Sequence, residues 1–170
     1  IEIIVVDNYS KDDSMKILRS LLGQGKNIKL LETKRNLGFS GGNNLGSKEA
    51  SGKYILIINP DTTLENDVVE KMFLFLEENN EVGIIGPQLV FPNGTIRDSY
   101  RTFPTMLDII IKRTPLSIFF PRRMRDYLQW DKSPYEKREV DWLVGACMFM
   151  KKDLFEGIGK FDERFFLFFE

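Results

Sequence analysis

Histidine is missing from this 170-residue chain. That removes a histidine general base, a Ser-His-Asp triad and most zinc sites, so any proton transfer must run through Asp, Glu, Lys or Tyr. Cysteine is nearly missing too. The single one, Cys147, lies in the apolar run WLVGACMFM and cannot form an intrachain disulfide, which fits a reducing cytoplasm. No apolar run approaches the length of a membrane span, and no signal-peptide pattern is present. Charge of one sign is lacking as well: 24 Lys and Arg face 25 Asp and Glu, a net −1, so no global field draws nucleic acid. The chain opens on IEIIVVD, already inside a strand pattern, and closes on FFLFFE, so it reads as a piece cut at both ends.

What is there suits a globular domain. The apolar fraction is 42% and the charged fraction 29%, and the length allows one domain with a real core. IEIIVVD is a continuous β-branched run, and NIKLLE, YILIIN and VGIIG read as further short strands. Between them lie SKDDSMKILRSLLGQG, with Ser10 as expected cap, a glycine-rich turn NLGFSGGNNLG leading into a helix, and a helical stripe of Val69, Met72, Phe73 and Leu76. Residues 1–86 thus alternate β-α-β-α-β-α-β, which predicts an α/β fold with a mostly parallel sheet and helices on both faces. Residues 87–170 predict a smaller mixed part: a hairpin in QLVFPNGTIR, a helix in PTMLDIIIK with Pro104 in its first turn, a proline-bearing loop over 114–139, and one long strand in VDWLVGACMFM.

Ligands of open α/β sheets bind outside the carboxyl ends of the strands. Asp7 and Asn8 follow the first strand, Asn36 and Gly38 the second, and Asn59 and Asp61 the third. Asp7 reads either as a ligand acceptor or as part of a helix cap. Gly38, Gly41, Gly42 and Gly46 do not give G-x-G-x-x-G, so a dinucleotide fingerprint is excluded, while close backbone approach to a ligand and tight helix packing both stay open. Pro60 ends the third strand and fixes its own φ, presenting Asp61 rigidly. One carboxylate among neutral oxygen donors suits Mg2+ or Mn2+ held mainly through substrate phosphates, although an ordinary Asn-Pro-Asp turn would look the same.

The blocks VVDNYSKDDS, NLGFSGGNNLG, INPDTTL and VDWLVGACMFMKKDLFEGIGKFDERFFLFFE, in this order, resemble the family 2 glycosyltransferases, particularly their bacterial rhamnosyltransferase-like branch. The resemblance implies a GT-A fold, with a nucleotide-binding half over 1–86 and an incomplete acceptor-side half over 87–170. It implies inverting transfer of a sugar, rhamnose by analogy, from a nucleotide-diphosphate donor to a saccharide or lipid-linked acceptor in cell-surface polysaccharide synthesis. By similarity, Asp7 with Asn8 would contact the base and Asn36 and Gly38 would shape its pocket. Asn43 stands where many relatives carry arginine. Asn59-Pro60-Asp61 matches the metal motif with Asn for its first acid, so Asp61 would face the metal–diphosphate and Asn59 the ribose. Trp142, Gly145 and Ala146 match a block near donor sugar and acceptor. In such relatives FDERFF leads to an acidic pair whose Asp is the base. Glu170 would be its neighbour and a weak substitute, so this piece is expected to be inactive by itself. A non-catalytic nucleotide-sugar-binding module is the alternative. A sugar-phosphate nucleotidyltransferase would want a basic glycine loop near the start, which is absent.

Residues 112–138 carry eight basic against three acidic residues, a net +5, with Phe119, Phe120, Tyr127 and Trp130 interleaved. They read as a solvated loop with its aromatics in the core, as a peripheral contact with the inner face of an anionic membrane or with a lipid-linked acceptor, or, third, as a stacking surface for single-stranded RNA. FFLFF is expected to pack into the core.

Overall fold

The β-branched run IIVVD forms β1 (Ile3–Asp7) and IKLLE forms β2 (Ile28–Glu32), paired in parallel with Ile3 opposite Ile28 and Asp7 opposite Glu32. A parallel pair needs a crossover, and α1 (Ser14–Leu22) provides it. The computed structural model describes residues 1–22, 27–65, 67–129 and 132–167. α2 (Gly38–Glu49) follows β2 and packs on β1, then come β3 (Tyr54–Ile58), α3 (Val68–Glu78) and β4 (Ile84–Ile85). The second half holds β5 (Tyr100–Arg101), α4 (Met106–Lys112), a 3-10 turn (Pro115–Ile118), α5 (Pro121–Leu128), β6 (Trp142–Leu143), β7 (Cys147–Lys151) and α6 (Lys152–Gly157). A second sheet has the order β3-β7-β4, and β5 pairs antiparallel with β6. The chain divides into two compact units, Ile1–Ile55 with Met150–Glu170, and Leu56–Phe149. Among the described residues no helix is long and apolar enough to cross a membrane.

Several local expectations are corrected. α1 begins at Ser14, with Asp12 Oδ1 accepting its N–H at 3.0 Å, so Ser10 is not the cap. The glycine-rich stretch is no loop: Gly38, Gly41, Gly42 and Gly46 lie inside α2. A Cβ at Gly46 would stand 3.1 Å from Val6 Cγ2, so lack of a side chain here is what lets α2 approach β1 closely. Phe73 is exposed, unlike Met72 and Leu76 beside it on α3. QLVFPNGTIR closes as a hairpin with one bridge, Val90 to Ile96, around Gly94 at φ +80°.

The expected loop over 114–139 contains α5. Proline misleads there because Pro121 occupies the first helical turn, where its missing N–H costs no hydrogen bond. Met124, Tyr127 and Leu128 of α5 close a core with Ile111 of α4. α4 in turn starts one residue after Thr105, so Pro104 precedes the cap instead of sitting in the first turn. Thr105 and Asp108 form a full capping box, and Arg123 Nε of α5 donates to Asp108 Oδ1 at 2.6 Å. Burial works to raise the Asp108 pKa, but hydrogen bonds from Thr105 and the Arg123 guanidinium outweigh it and hold the carboxyl below its usual range. A depressed native pKa contributes stability that is present above the unfolded value, about 4, and is lost as pH falls through that range. Asp108→Asn is therefore expected to cost about 1–3 kcal/mol at neutral pH and to flatten the acid limb of the stability curve, as measured by urea unfolding at several pH values.

Candidate functional site

In the unit built on β1 and β2, the strand ends carry a hydrogen-bonded cluster. Thr33 N–H donates to Asp7 O at 3.0 Å, continuing the ladder past the strand. Asn8 then clamps the segment that enters α2. Its Nδ2 donates to Asn36 Oδ1 at 3.0 Å and to Gly38 O at 2.9 Å, and its Oδ1 accepts from Leu37 N–H at 2.8 Å. Asn36 Oδ1 also accepts from Gly38 N–H at 2.9 Å. The structure therefore joins Asn8, Asn36 and Gly38, with Asp7 next to Asn8 in the chain, and gives Asn8 and Asn36 the work of holding the turn. The Asp7 carboxylate is buried and, among the described residues, accepts long bonds, 3.3 and 3.4 Å, from Ser10 N–H. Tyr9 takes φ 72° to make that turn. Asn43 sits one helical turn into α2, where its Nδ2 donates to Phe39 O at 3.0 Å, so its amide is engaged within its own helix.

A feature invisible in the sequence joins this cluster. The segment 161–166 is bound to the first half of α2 by buried polar side chains. Asn44 meets Phe161 as a strand partner would, with Nδ2 donating to Phe161 O at 2.9 Å and Oδ1 accepting from Phe161 N–H at 3.1 Å. Asn44 Nδ2 also reaches Glu163 Oε1 at 3.0 Å. Ser40, fully buried, donates to Phe165 O at 2.7 Å, and Phe39 N–H donates to Phe166 O at 2.8 Å. Phe39, Phe155 and Phe161 add edge and tilted ring contacts. The aromatic segment is thus held by its backbone. Phe165, Phe166 and Leu167 are exposed, contrary to the expected core packing, because carbonyls and not rings carry the attachment. Phe168, Phe169 and Glu170 lie outside the described residues.

In the other unit, Asn59-Pro60-Asp61-Thr62 is a β-turn closed by Thr62 N–H to Asn59 O at 3.1 Å, with Pro60 at its second position, where its fixed φ fits. Asp61 is exposed at the tip of the turn. Asn59 N–H donates to Ala146 O at 2.9 Å, and Thr62 Oγ1 approaches the same oxygen at 3.5 Å. The apolar run VDWLVGACMFM is not one strand. It breaks at a turn over Gly145 and Ala146 between β6 and β7, and that break is what turns Ala146 O toward Asn59. Trp142 stands opposite Arg101 on β5, whose guanidinium lies 5.2 Å from the indole centroid. Buried Ser99 fixes this corner through Leu89 N–H at 2.7 Å and Gln88 Nε2 at 2.8 Å. Cys147 is buried, and burial pushes its thiol pKa up, which suits an inert core residue.

Among the described residues no three Cys, Asp or Glu side chains gather into a metal cage. A lone exposed carboxylate on a rigid turn, with the Asn59 amide near it in sequence, fits the kind of divalent ion whose other ligands are phosphate oxygens and water. Asp61 is a residue whose exposed carboxylate could meet such an ion.

Residues 1–159 match the family model described as Glycosyl transferase family 2. The chain is 26% identical over its whole length to the N-acetylglucosaminyl-diphospho-decaprenol L-rhamnosyltransferase of Mycobacterium tuberculosis, of which it spans 58%. It is 26% identical over 99% of its length to the low-salt glycan biosynthesis hexosyltransferase Agl10 of Haloferax volcanii, spanning 50% of that protein. The chain therefore covers little more than half of these relatives. Among solved structures it resembles Staphylococcus aureus TarS 1-349 in complex with UDP, with TM-score 0.61 and 18% identity over 97% of this chain and 42% of that one. It also resembles the mannosyltransferase PcManGT of Pyrobaculum calidifontis in complex with GDP-Man and Mn2+, with TM-score 0.60 and 17% identity over 95% of this chain and 38% of that one. These likenesses establish the GT-A fold. By the match of its family model over nearly the whole chain, the protein belongs to glycosyl transferase family 2.

Proposed function

We propose that the protein carrying this chain transfers a sugar, with inversion, from a nucleoside-diphosphate donor to a hydroxyl of a saccharide or lipid-linked acceptor during cell-surface glycan synthesis on the cytoplasmic side. Rhamnose is the donor sugar this reading favours. The observation that carries it is the joining, within one unit, of the Asp7–Asn8–Asn36–Gly38 cluster to the 161–166 segment through α2. In this reading the first stretch serves the nucleotide and the second the approach to the general base; membership of residues 1–159 in the family supports the former. TarS was solved with UDP and the mannosyltransferase with GDP-Man and Mn2+, and the mycobacterial relative is named for a diphospho-decaprenol-linked acceptor.

In this reading Asp7 accepts hydrogen bonds from the base, next to Asn36, Gly38 and Asn43, and Asn59 touches the ribose. Asp61 holds the divalent ion, Mg2+ or Mn2+, which when bound neutralises the leaving diphosphate. Trp142, Gly145 and Ala146 border the donor sugar and the acceptor. The base that takes the acceptor hydroxyl proton is a carboxylate at or directly after Glu170, worth about 10²–10⁴-fold in rate. The chain contains no histidine that could compete for that role.

The test is turnover. The protein is incubated with dTDP-, UDP- and GDP-sugars, Mn2+ and a polyprenyl-diphosphate sugar, and nucleoside diphosphate release is followed. Release with one donor, dependent on acceptor and on the acid at or after Glu170, is expected. Tight nucleotide binding with no release from the full-length protein would make it a binding module instead.

A further inference from the structure

The expected burial of the 112–138 aromatics holds for Tyr127 and fails for its neighbours. Tyr127 lies in the core, but Phe119 and Phe120 are exposed, and Trp130 and Asp131 lie outside the described residues. α4 shows why this surface is unusual. Its buried side carries Asp108 and Ile111, yet Met106, Leu107 and Ile110 fall on the other side and face solvent. A surface helix normally spends its apolar residues on one side only. Phe103 before α4 and Ile118 and Phe119 at the end of the 3-10 turn are about as exposed as Met106, at 73%, 76%, 76% and 75%. The 3-10 turn packs against both α4 and α5, so the elements that carry these side chains are neighbours within the unit.

The same elements carry net positive charge. Residues 103–128 hold five basic and two acidic residues, a net +3 in a chain of net −1. Lys112, Arg113, Arg122 and Arg125 are exposed, while the Asp108 carboxylate is taken up by Arg123 and leaves Asp126 as the acid on this stretch. Exposed aromatic and aliphatic side chains next to exposed guanidinium and ammonium groups match a boundary that offers apolar depth and a layer of anions. A second copy of the chain would set two such positive faces against each other, at a cost in repulsion.

We propose that the face formed by α4, the 3-10 turn and the start of α5 docks on an anionic phospholipid bilayer, with Met106, Ile118 and Phe119 entering the headgroup region and Lys112, Arg122 and Arg125 meeting lipid phosphate. This inference is independent of the nucleotide assignment and would survive its failure.

Co-sedimentation of the protein with phosphatidylcholine vesicles, with and without phosphatidylglycerol, tests it. Binding is expected only with phosphatidylglycerol, and it weakens as salt is raised. The double variant Ile118→Ser/Phe119→Ser and the double variant Arg122→Gln/Arg125→Gln should each reduce the bound fraction about tenfold or more. All four positions are exposed or on the surface of α5, so unchanged thermal unfolding is expected and separates lost docking from lost folding. No binding, equal binding to both vesicle types, or binding indifferent to both variants would overturn the proposal. So would concentration-dependent self-association that the Ile118→Ser/Phe119→Ser variant abolishes, because the face would then belong to a second copy.

Discussion

Asp61→Ala is expected to lower sugar transfer about 10²–10³-fold, the usual loss when one preorganised partner of developing charge is removed. The same variant should leave the fold almost untouched. Asp61 is exposed, and the turn that presents it is closed by backbone groups, Thr62 N–H to Asn59 O, and fixed by Pro60. Melting temperature should therefore change little while the Mn2+-dependent part of nucleotide affinity disappears. Asp61→Asn should fall between, since it keeps an oxygen ligand and loses the charge. A substitution at Asp61 that unfolds the protein, or one that leaves metal-dependent binding intact, would return Asn59-Pro60-Asp61 to the status of an ordinary turn.

Gly38→Ala is expected to be the most disruptive change of a single small side chain. Gly38 adopts φ +73°, which costs an L-residue about 1–2 kcal/mol, and its added Cβ would lie 2.3 Å from Phe166 O and 2.8 Å from Phe166 Cδ2. The obstacle is mostly backbone and cannot rotate away. Overpacking of this kind costs about 1–3 kcal/mol more, so a loss of about 2–5 kcal/mol in urea unfolding is expected. The alternative is that the 161–166 segment lets go of α2, which faster hydrogen exchange at the Phe39 amide would reveal. Gly42→Ala serves as the control. A Cβ there would meet Asn8 Nδ2 at 3.5 Å, an ordinary contact, and alanine is the better helix former by up to about 1 kcal/mol. Equal tolerance of both substitutions would mean that the 161–166 segment is not held as described.

The strands and helices of the first half were legible because they carry their own signal. IIVVD, IKLLE and YILII are largely apolar runs of strand length, and the polar residues at or after their ends mark where the chain leaves the sheet. The second half was less legible for identifiable reasons. Proline was counted as a helix breaker over 114–139, but at the first turn of α5 it is a helix starter. A continuous apolar run hid the turn at Gly145, because Trp142–Leu143 and Cys147–Lys151 pair with different strands. The glycines of α2 looked like a loop because their purpose, room for Val6 and Phe166, depends on partners distant in sequence. Asn44 and Ser40 could not be found at all. Their partners are backbone groups of Phe161 and Phe165, 117 and 125 positions away, and a carbonyl leaves no mark in a sequence. The candidate site residues Asp7, Asn8, Asn36 and Asp61 stand at or just past strand ends, where topology alone singles them out.

The measurement that bears most directly on the central claim is calorimetric titration of the protein with UDP, GDP and dTDP, each with Mn2+ and with a chelator. One of the three should bind at a single site, more tightly with Mn2+. Asp7→Ala should weaken that binding about tenfold or more by loss of a charged hydrogen-bond acceptor. It should cost the fold less, since among the described residues the carboxylate accepts long bonds from Ser10. If none of the three nucleotides binds, or if Asp7→Ala lowers thermal stability as much as it lowers affinity, the strand-end cluster is a structural cap and the account is wrong.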